Sequence, residues 1–229
     1  YCFLVFALSF AQISHGGKPH YSDSLEEVPG FLTSLENKVI YNRDNLPQYF
    51  IFGDEYNVDI DFFNEALAYS VDGGNVYLLT ISSPGAKAIG LEMDLFYLYP
   101  GVEMFIYNST RDMFIGSFTS ENNKVYNKFS TSLVKGDQVA IEVFIPNDIF
   151  GDSFINISKI IHDFTDLLNY HDTNNQELDR NSCNINVACS EADPYEDQVN
   201  SVMLMTMGGG SCSASLINNV EEDLTPYVL

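Results

Sequence analysis

The sequence has few basic residues, no tryptophan and no long apolar run. Its 229 residues include 10 Lys and Arg against 32 Asp and Glu, which gives a net charge of −22. Such a charge argues against nucleic acid and anionic membrane surfaces as partners. The acidity does not imply disorder, because 45% of the residues are hydrophobic and 14% aromatic, enough to form a core. With 14 Tyr and 17 Phe, the composition favours β-strands.

One apolar run lies at the N-terminus and is too short to cross a bilayer. It extends from Phe3 to Ala11 and closes on the small-x-small pattern Ser9-Phe10-Ala11, which is typical of signal peptidase cleavage. We therefore predict a truncated signal peptide at residues 1–11, secretion to the extracellular space, and no membrane contact after cleavage. Cysteines in that oxidising environment are expected to pair.

Residues 48–165 show a period of two, which is typical of half-buried strands. Turn signals separate the strand-like runs, and the clearest of them predicts a type II turn at Pro100-Gly101. Short strands with one apolar face each form two sheets that pack face to face. We predict the all-β class, with a jelly-roll-like antiparallel β-sandwich at 48–165 preceded by an extended lead-in at 12–47. Four alternating residues that share a face in one such run are Val139, Ile141, Val143 and Ile145.

Three groups of polar residues invite a catalytic or metal-binding interpretation, and we assign none of them such a role. His15 and His20 lie beside Gly and Pro and are predicted to be solvated. A set of acidic residues close in sequence is predicted to be a solvated face and not a calcium site, because alternation separates its members. His162 and Asp163, as neighbours in a strand, should point to opposite faces. No metal and no cofactor is predicted. The acidic set is Asp54, Glu55, Asp59 and Asp61.

The cysteines that remain after signal cleavage are odd in number and lie near the C-terminus. An odd count in a secreted protein indicates a free thiol, an intermolecular bridge or a missing partner. We favour missing partners and a C-terminal truncation. Residues 166–182 are polar and aperiodic and are predicted to be a linker, in which Arg180 is the candidate processing site. The three cysteines are Cys183, Cys189 and Cys212.

Three ordered motifs in the C-terminal segment resemble one family. Cys-Asn-Ile-Asn-Val-Ala-Cys-Ser-Glu-Ala-Asp spans 183–193, Ser-Cys-Ser-Ala-Ser-Leu-Ile-Asn-Asn spans 211–219, and Thr-Pro-Tyr-Val-Leu spans 225–229. This pattern resembles the start of the peptidase domain in bacterial lysyl endopeptidase-like serine peptidases, a branch of the trypsin-fold family. Ala192 and Ala214 stand where glycine is usual, a departure that concerns local turns.

The sandwich segment also resembles the N-terminal region of secreted members of this group. The similar stretches occur in the same order at 79–86, 99–108, 115–123 and 157–163. The resemblance therefore covers residues 48–229. It implies that the sandwich is a pro-region and that 183–229 form the first strands of a truncated trypsin-like β-barrel.

The resemblance further implies that the catalytic histidine and the partners of all three cysteines lie beyond Leu229. No catalytic residue is assigned within the chain, and Ser211, Ser213 and Ser215 are predicted to lie in a hairpin strand after a glycine turn. The full-length parent would hydrolyse peptide bonds of protein or peptide substrates, while this fragment would be inactive.

The alternative function belongs to a different class. A secreted β-sandwich can serve as a binding or adhesion module without enzymatic activity, and the fold alone does not decide between the two functions. A bridge between Cys183 and Cys189, with a natural chain end at Leu229, would favour this alternative.

Overall fold

The computed structural model describes residues 14–40, 50–169, 190–217 and 227–228. Strands dominate these residues, so the predicted all-β class is confirmed. In chain order the strands are β1 (Gly30–Leu32), β2 (Phe50–Ile51), β3 (Gly53–Asp61), β4 (Leu67–Val71), β5 (Gly74–Ser82), β6 (Ala88–Tyr97), β7 (Glu103–Asn108), β8 (Phe114–Phe118), β9 (Phe129–Ser130), β10 (Val134–Lys135), β11 (Gln138–Pro146), β12 (Phe154–Asp163), β13 (Val202–Met207), β14 (Gly210–Ile217) and β15 (Tyr227–Val228). The described helices are α1 (Phe62–Glu65) and α2 (Glu196–Ser201), with 3-10 turns at Leu35–Asn37, Ser120–Asn122, Leu167–Asn169 and Ser190–Tyr195.

Two sheets pack face to face as a β-sandwich. The first sheet has the strand order β1-β5-β11-β7-β8, with β4 also paired to β5. The second sheet has the order β10-β6-β12-β3, with β9 also paired to β6. The described pairs in both sheets are antiparallel except for β1 with β5, which is parallel. Strand β1 thus brings part of the lead-in segment into the first sheet.

The apolar faces of the two sheets meet in one core. Val139, Ile141 and Val143 of β11 are fully buried on the inner face of the first sheet. They belong to the same cluster as Leu91 of β6 and Ile157 of β12 in the second sheet. In β11 the period-two pattern in the sequence therefore identified the inner face correctly, because successive side chains of a strand point to opposite sides.

The turn between β6 and β7 has the predicted type II geometry. Gly101 adopts a φ of +93°, and the backbone N–H of Val102 donates to the carbonyl of Tyr99 over 3.0 Å. Proline at the first central position fixes φ, and glycine at the second accepts the positive φ that the turn needs. The sequence signal at Pro100-Gly101 is confirmed.

The outer face of the first sheet is also apolar, and residues 14–28, here named the strap, cover it. Tyr21 and Val28 of the strap are buried against this face, with Leu25 packed beside them. The lead-in was expected to be extended and without a period, and nothing in its sequence signalled that it covers a sheet. The residues of the sheet that share this cluster are Val76, Leu78, Phe105, Tyr107, Ala140 and Phe144.

Strands β13 and β14 form an antiparallel hairpin outside the sandwich. Its register runs from Val202 opposite Ser215 to Met207 opposite Gly210. Strand β14 also pairs with β15 and, at its start, with β2. These described strands form no closed barrel. In the part of the chain that the structure covers, no helix is long and apolar enough to span a bilayer.

Candidate docking site for the glycine turn

The hairpin of β13 and β14 turns at Gly208 and Gly209, and this turn rests on the start of β3. The carbonyl of Gly209 accepts the N–H of Phe52 over 2.9 Å and the N–H of Gly53 over 3.0 Å. The N–H of Gly209 donates to Oε1 of Glu55 over 3.1 Å. Both backbone polar groups of Gly209 are therefore bonded to the sandwich, which gives the contact a defined geometry.

Both turn positions require glycine. A Cβ on Gly209 would overlap the carbonyl oxygen of Gly53, which is backbone and has little room to move. A Cβ on Gly208 would overlap the Glu55 carboxylate, and Gly208 also has a φ of +54°. A side chain at either position would therefore push the hairpin away from β3. We use the name docking site for four residues, which are Phe52, Gly53, Glu55 and Lys159.

Glu55 is buried, with 7% of its surface exposed, and Lys159 of the neighbouring strand β12 neutralises it. The Nζ of Lys159 lies 2.8 Å from Oε2 of Glu55 and 3.6 Å from Oε2 of Glu92. The hydrogen bond to Glu55 raises the pKa of the Lys159 ammonium, so the lysine stays charged. One carboxylate thus uses Oε2 for the cation and Oε1 for the hairpin.

The prediction of a solvated acidic face is wrong at Glu55. Burial of this carboxylate follows from its two partners, which lie far away in sequence and which alternation within β3 could not show. The other members of the acidic set have separate roles: Asp54 pairs with Lys38 over 2.5 Å, Asp59 accepts from Asn156 over 3.0 Å, and Asp61 accepts from the N–H of Asn64 over 3.3 Å as the N-cap of α1.

His162 and Asp163 do not form a dyad. The Asp163 carboxylate accepts the N–H groups of Thr165 and Leu167 over 2.8 and 2.7 Å. The Nδ1 of His162 instead lies 2.8 Å from Oγ of Ser83, a contact that sequence reasoning missed. Ser83 is fully buried, so no substrate can reach its hydroxyl. The Ser83 to His162 bond joins the residue that follows β5 in the first sheet to β12 in the second.

This contact between the sheets predicts a pH effect on stability. Burial lowers the pKa of His162, because the charged imidazolium is disfavoured there. The unfolded chain therefore takes up this proton at a higher pH than the folded chain. The contribution of the neutral His162 to the stability of the fold is therefore fully present at neutral pH. It is lost as pH falls below about 6.5. We expect the melting temperature of wild type to fall more than that of His162→Asn between about pH 7.5 and 5.

Asparagine suits this test because its amide can keep the hydrogen bond to Ser83 without titrating near neutral pH. His15→Asn is the matched control, since the His15 ring lies outside the sandwich core, 3.5 Å from Glu121. The control should follow the wild-type curve. Parallel curves for wild type and His162→Asn would contradict the prediction.

The predicted site residues of the C-terminal segment are only partly described. Ser211, Ser213 and Ser215 all lie in β14 directly after the glycine turn, as predicted. Cys212 lies between them as a partly exposed free thiol. The predicted disulfide cysteines Cys183 and Cys189, and the processing candidate Arg180, lie outside the described residues. Within the described ranges, no group of three or more His, Cys, Asp or Glu residues is placed to hold a metal ion.

The segment that contains this hairpin is similar to a known protein family. Residues 179–229 match the family described as lysyl endopeptidase, C-terminal domain. No solved structure matches the chain. The match spans β13, the glycine turn and β14, so the hairpin that the sandwich holds belongs to the segment with the lysyl endopeptidase-like relation. This relation points to a proteolytic family whose substrates are proteins.

Proposed function

We propose that the chain is the N-terminal part of the precursor of a secreted serine endopeptidase of the lysyl endopeptidase type. Residues 48–165 are its jelly-roll-like pro-region and 166–182 a linker, with Arg180 as the processing site. Residues 183–229 begin a peptidase domain with a trypsin-like barrel. The complete protein hydrolyses peptide bonds in proteins, and cleavage after lysine or arginine is what the resemblance implies.

The observation that carries the proposal is the contact between the sandwich and the matched segment. The family match falls on the segment that contains Gly208 and Gly209, and Glu55 of the sandwich binds that turn directly. A pro-region must recognise its own peptidase domain, and a buried carboxylate with a glycine-specific surface provides such recognition.

The cysteines support the same assignment. Cys212 has a free, partly exposed thiol in β14, and so is available for a bridge to a cysteine of the remaining peptidase domain. In the proposed precursor, Cys183 and Cys189 likewise bridge to partners beyond Leu229. Secretion provides the oxidising conditions in which such bridges persist.

The decisive experiment reads the coding sequence after Leu229. We expect Thr-Ala-x-His-Cys directly after it and Gly-Asp-Ser-Gly farther on, which would supply the histidine, the nucleophilic serine and the missing cysteine partners. The purified 229-residue chain should not cleave lysyl or arginyl peptide esters. A stop codon after Leu229 would overturn the proposal in favour of the binding or adhesion module. Hydrolysis by the 229-residue chain that Ser213→Ala abolishes would also overturn it, because the nucleophile would then lie within these residues.

A further inference from the structure

Hydrogen bonds hold the strap on the outer face of the first sheet at several points. At its start, the N–H of His15 donates to the carbonyl of Ser117 over 3.0 Å, and the N–H of Ser117 donates to the carbonyl of Gly16 over 2.8 Å. Farther along, Arg111 donates to the backbone carbonyls of Tyr21 and Asp23. Most of these partners are backbone groups, so they hold the strap at any pH.

One contact of the strap differs from these backbone hydrogen bonds, because it depends on a buried carboxyl group. Glu142 of β11 points to the outer face and is fully buried under the strap. Its Oε1 accepts the N–H of His20 over 2.5 Å, and its Oε2 accepts the N–H of Tyr21 over 3.4 Å. The hydroxyl of Tyr107 in β7 also donates to Oε2, over 3.0 Å. Two of these three donors thus belong to the strap.

The charges around Glu142 do not neutralise it by direct contact. Within the described residues it forms no ion pair with Lys or Arg, and the Arg111 guanidinium lies over the Tyr107 ring, 5.2 Å from the ring centroid. The His20 imidazole stacks on Phe144 with the ring centroids 3.8 Å apart. The other titratable groups around the strap are Tyr21, Asp23, Glu27, Tyr69 and Glu103.

The protonated and ionised forms of Glu142 fit this site differently. A protonated carboxyl carries no charge to bury, and its carbonyl oxygen can still accept the N–H of His20. The pKa of Tyr107 is raised by burial and by Glu142, so the phenol keeps its own proton. An ionised carboxylate instead places a charge under the strap, away from water.

We infer that the strap is a pH-dependent cover of the first sheet, docked while Glu142 is protonated and loosened when Glu142 ionises. Loosening admits water to the carboxylate and removes the cost of burying its charge. It also uncovers the apolar surface formed by residues such as Leu78, Phe105 and Phe144. This pH-dependent docking of the strap does not depend on whether the chain is a peptidase precursor.

The direction of the effect follows from the pKa. Burial raises the pKa of Glu142 in the docked state, although the N–H groups of His20 and Tyr21, the Tyr107 hydroxyl and the charge interaction with the His20 imidazole oppose this. Loosening exposes the carboxyl to water and returns its pKa toward the ordinary range. Docking is therefore favoured below that ordinary range and weakens as pH rises through the interval up to the raised value. Within that interval one proton changes the docking equilibrium up to about tenfold per pH unit.

Hydrogen exchange of the strap tests this inference. We expect the protection of the His20 and Tyr21 amides, corrected for intrinsic exchange, to fall by up to about tenfold per pH unit in wild type. Glu142→Gln should lose this dependence, because its amide imitates the protonated carboxyl at every pH. The β5 and β11 amides report whether the sandwich stays folded. Equal pH dependence in wild type and Glu142→Gln would overturn the inference.

A second titratable group in the strap needs its own control. The Nε2 of His20 lies 3.0 Å from Glu103, and this ion pair exists only while the imidazole is protonated. His20→Phe keeps the stack on Phe144 and the backbone N–H to Glu142, so protection should still fall with rising pH. Its midpoint should move to higher pH, because the charge interaction with His20 that lowers the pKa of Glu142 is lost. Loss of the dependence in His20→Phe would assign the effect to the histidine and overturn the inference.

A measurement on wild type covers the case in which Glu142→Gln does not fold. The carboxyl carbon of Glu142 should titrate in NMR spectra with the same midpoint as the change in strap protection. Different midpoints would show that another group controls the strap, and this result too would overturn the inference.

Discussion

Replacing Lys159 by methionine is expected to destabilise the protein by about 3 kcal/mol, because it leaves a buried carboxylate without its cation. Glu55 is 7% exposed, and Nζ of Lys159 lies 2.8 Å from its Oε2. Methionine preserves most of the apolar stem, so the loss is mainly electrostatic. About a third of the lysine side chain reaches solvent, which places the effect at the lower end of those measured for buried pairs. Urea unfolding at neutral pH gives the change in the free energy of unfolding.

A double-mutant cycle separates the ion pair from the packing of the lysine stem. In the Glu55→Gln background, Lys159→Met should cost only about 1 kcal/mol, because no buried charge remains to be neutralised. Lys38→Met is the matched control, since its partner Asp54 is more exposed than Glu55. With both side chains only partly buried, this pair should contribute about 1 kcal/mol or less. Equal losses for Lys159→Met with and without Glu55 would contradict the prediction.

The strands could be predicted from the sequence because their signal is local. The alternation in β11 assigned Val139, Ile141 and Val143 to one face, and that face is buried between the sheets. The turn at Pro100-Gly101 depends on two adjacent residues, because proline fixes one φ and glycine accepts a positive φ. Both residues can be identified directly from the sequence. Period and turn chemistry therefore indicated the all-β class and the inner face of β11.

The contacts of the docking site were beyond reach of the same reasoning. Gly209 and Glu55 are separated by 154 positions in sequence, and His20 and Glu142 by 122. Alternation correctly places Glu142 on the outer face of β11, but it does not reveal that the strap covers that face. Such pairings depend on how distant segments meet, and the sequence carries no periodic signal for them. The run of three glycines before Ser211 was interpreted only as a turn, although two of them also meet β3.

Gly209→Ala is expected to detach the hairpin from the sandwich while leaving the sandwich folded. The new Cβ would overlap the Gly53 carbonyl oxygen, so the turn cannot keep its position on β3. Three hydrogen bonds at this residue are then lost, to Phe52, Gly53 and Glu55. At about 1 kcal/mol each, their loss corresponds to about a hundredfold weaker docking. Hydrogen exchange of the Phe52 and Gly53 amides should accelerate by a similar factor.

The selectivity of this effect distinguishes the docking site from general stability. Amides of β11 should keep their protection in Gly209→Ala, because the sandwich core contains no residue of the hairpin turn. Ser213→Ala, an exposed change in the same strand β14, is the matched control and should leave the Phe52 and Gly53 amides unchanged. Lys159→Met, in contrast, should lower both the stability of the sandwich and the protection of these amides. Lys159 neutralises Glu55 of β3, and the same carboxylate accepts the N–H of Gly209 in the hairpin. Unchanged exchange at Phe52 and Gly53 in Gly209→Ala would show that the hairpin is not held through its glycine turn.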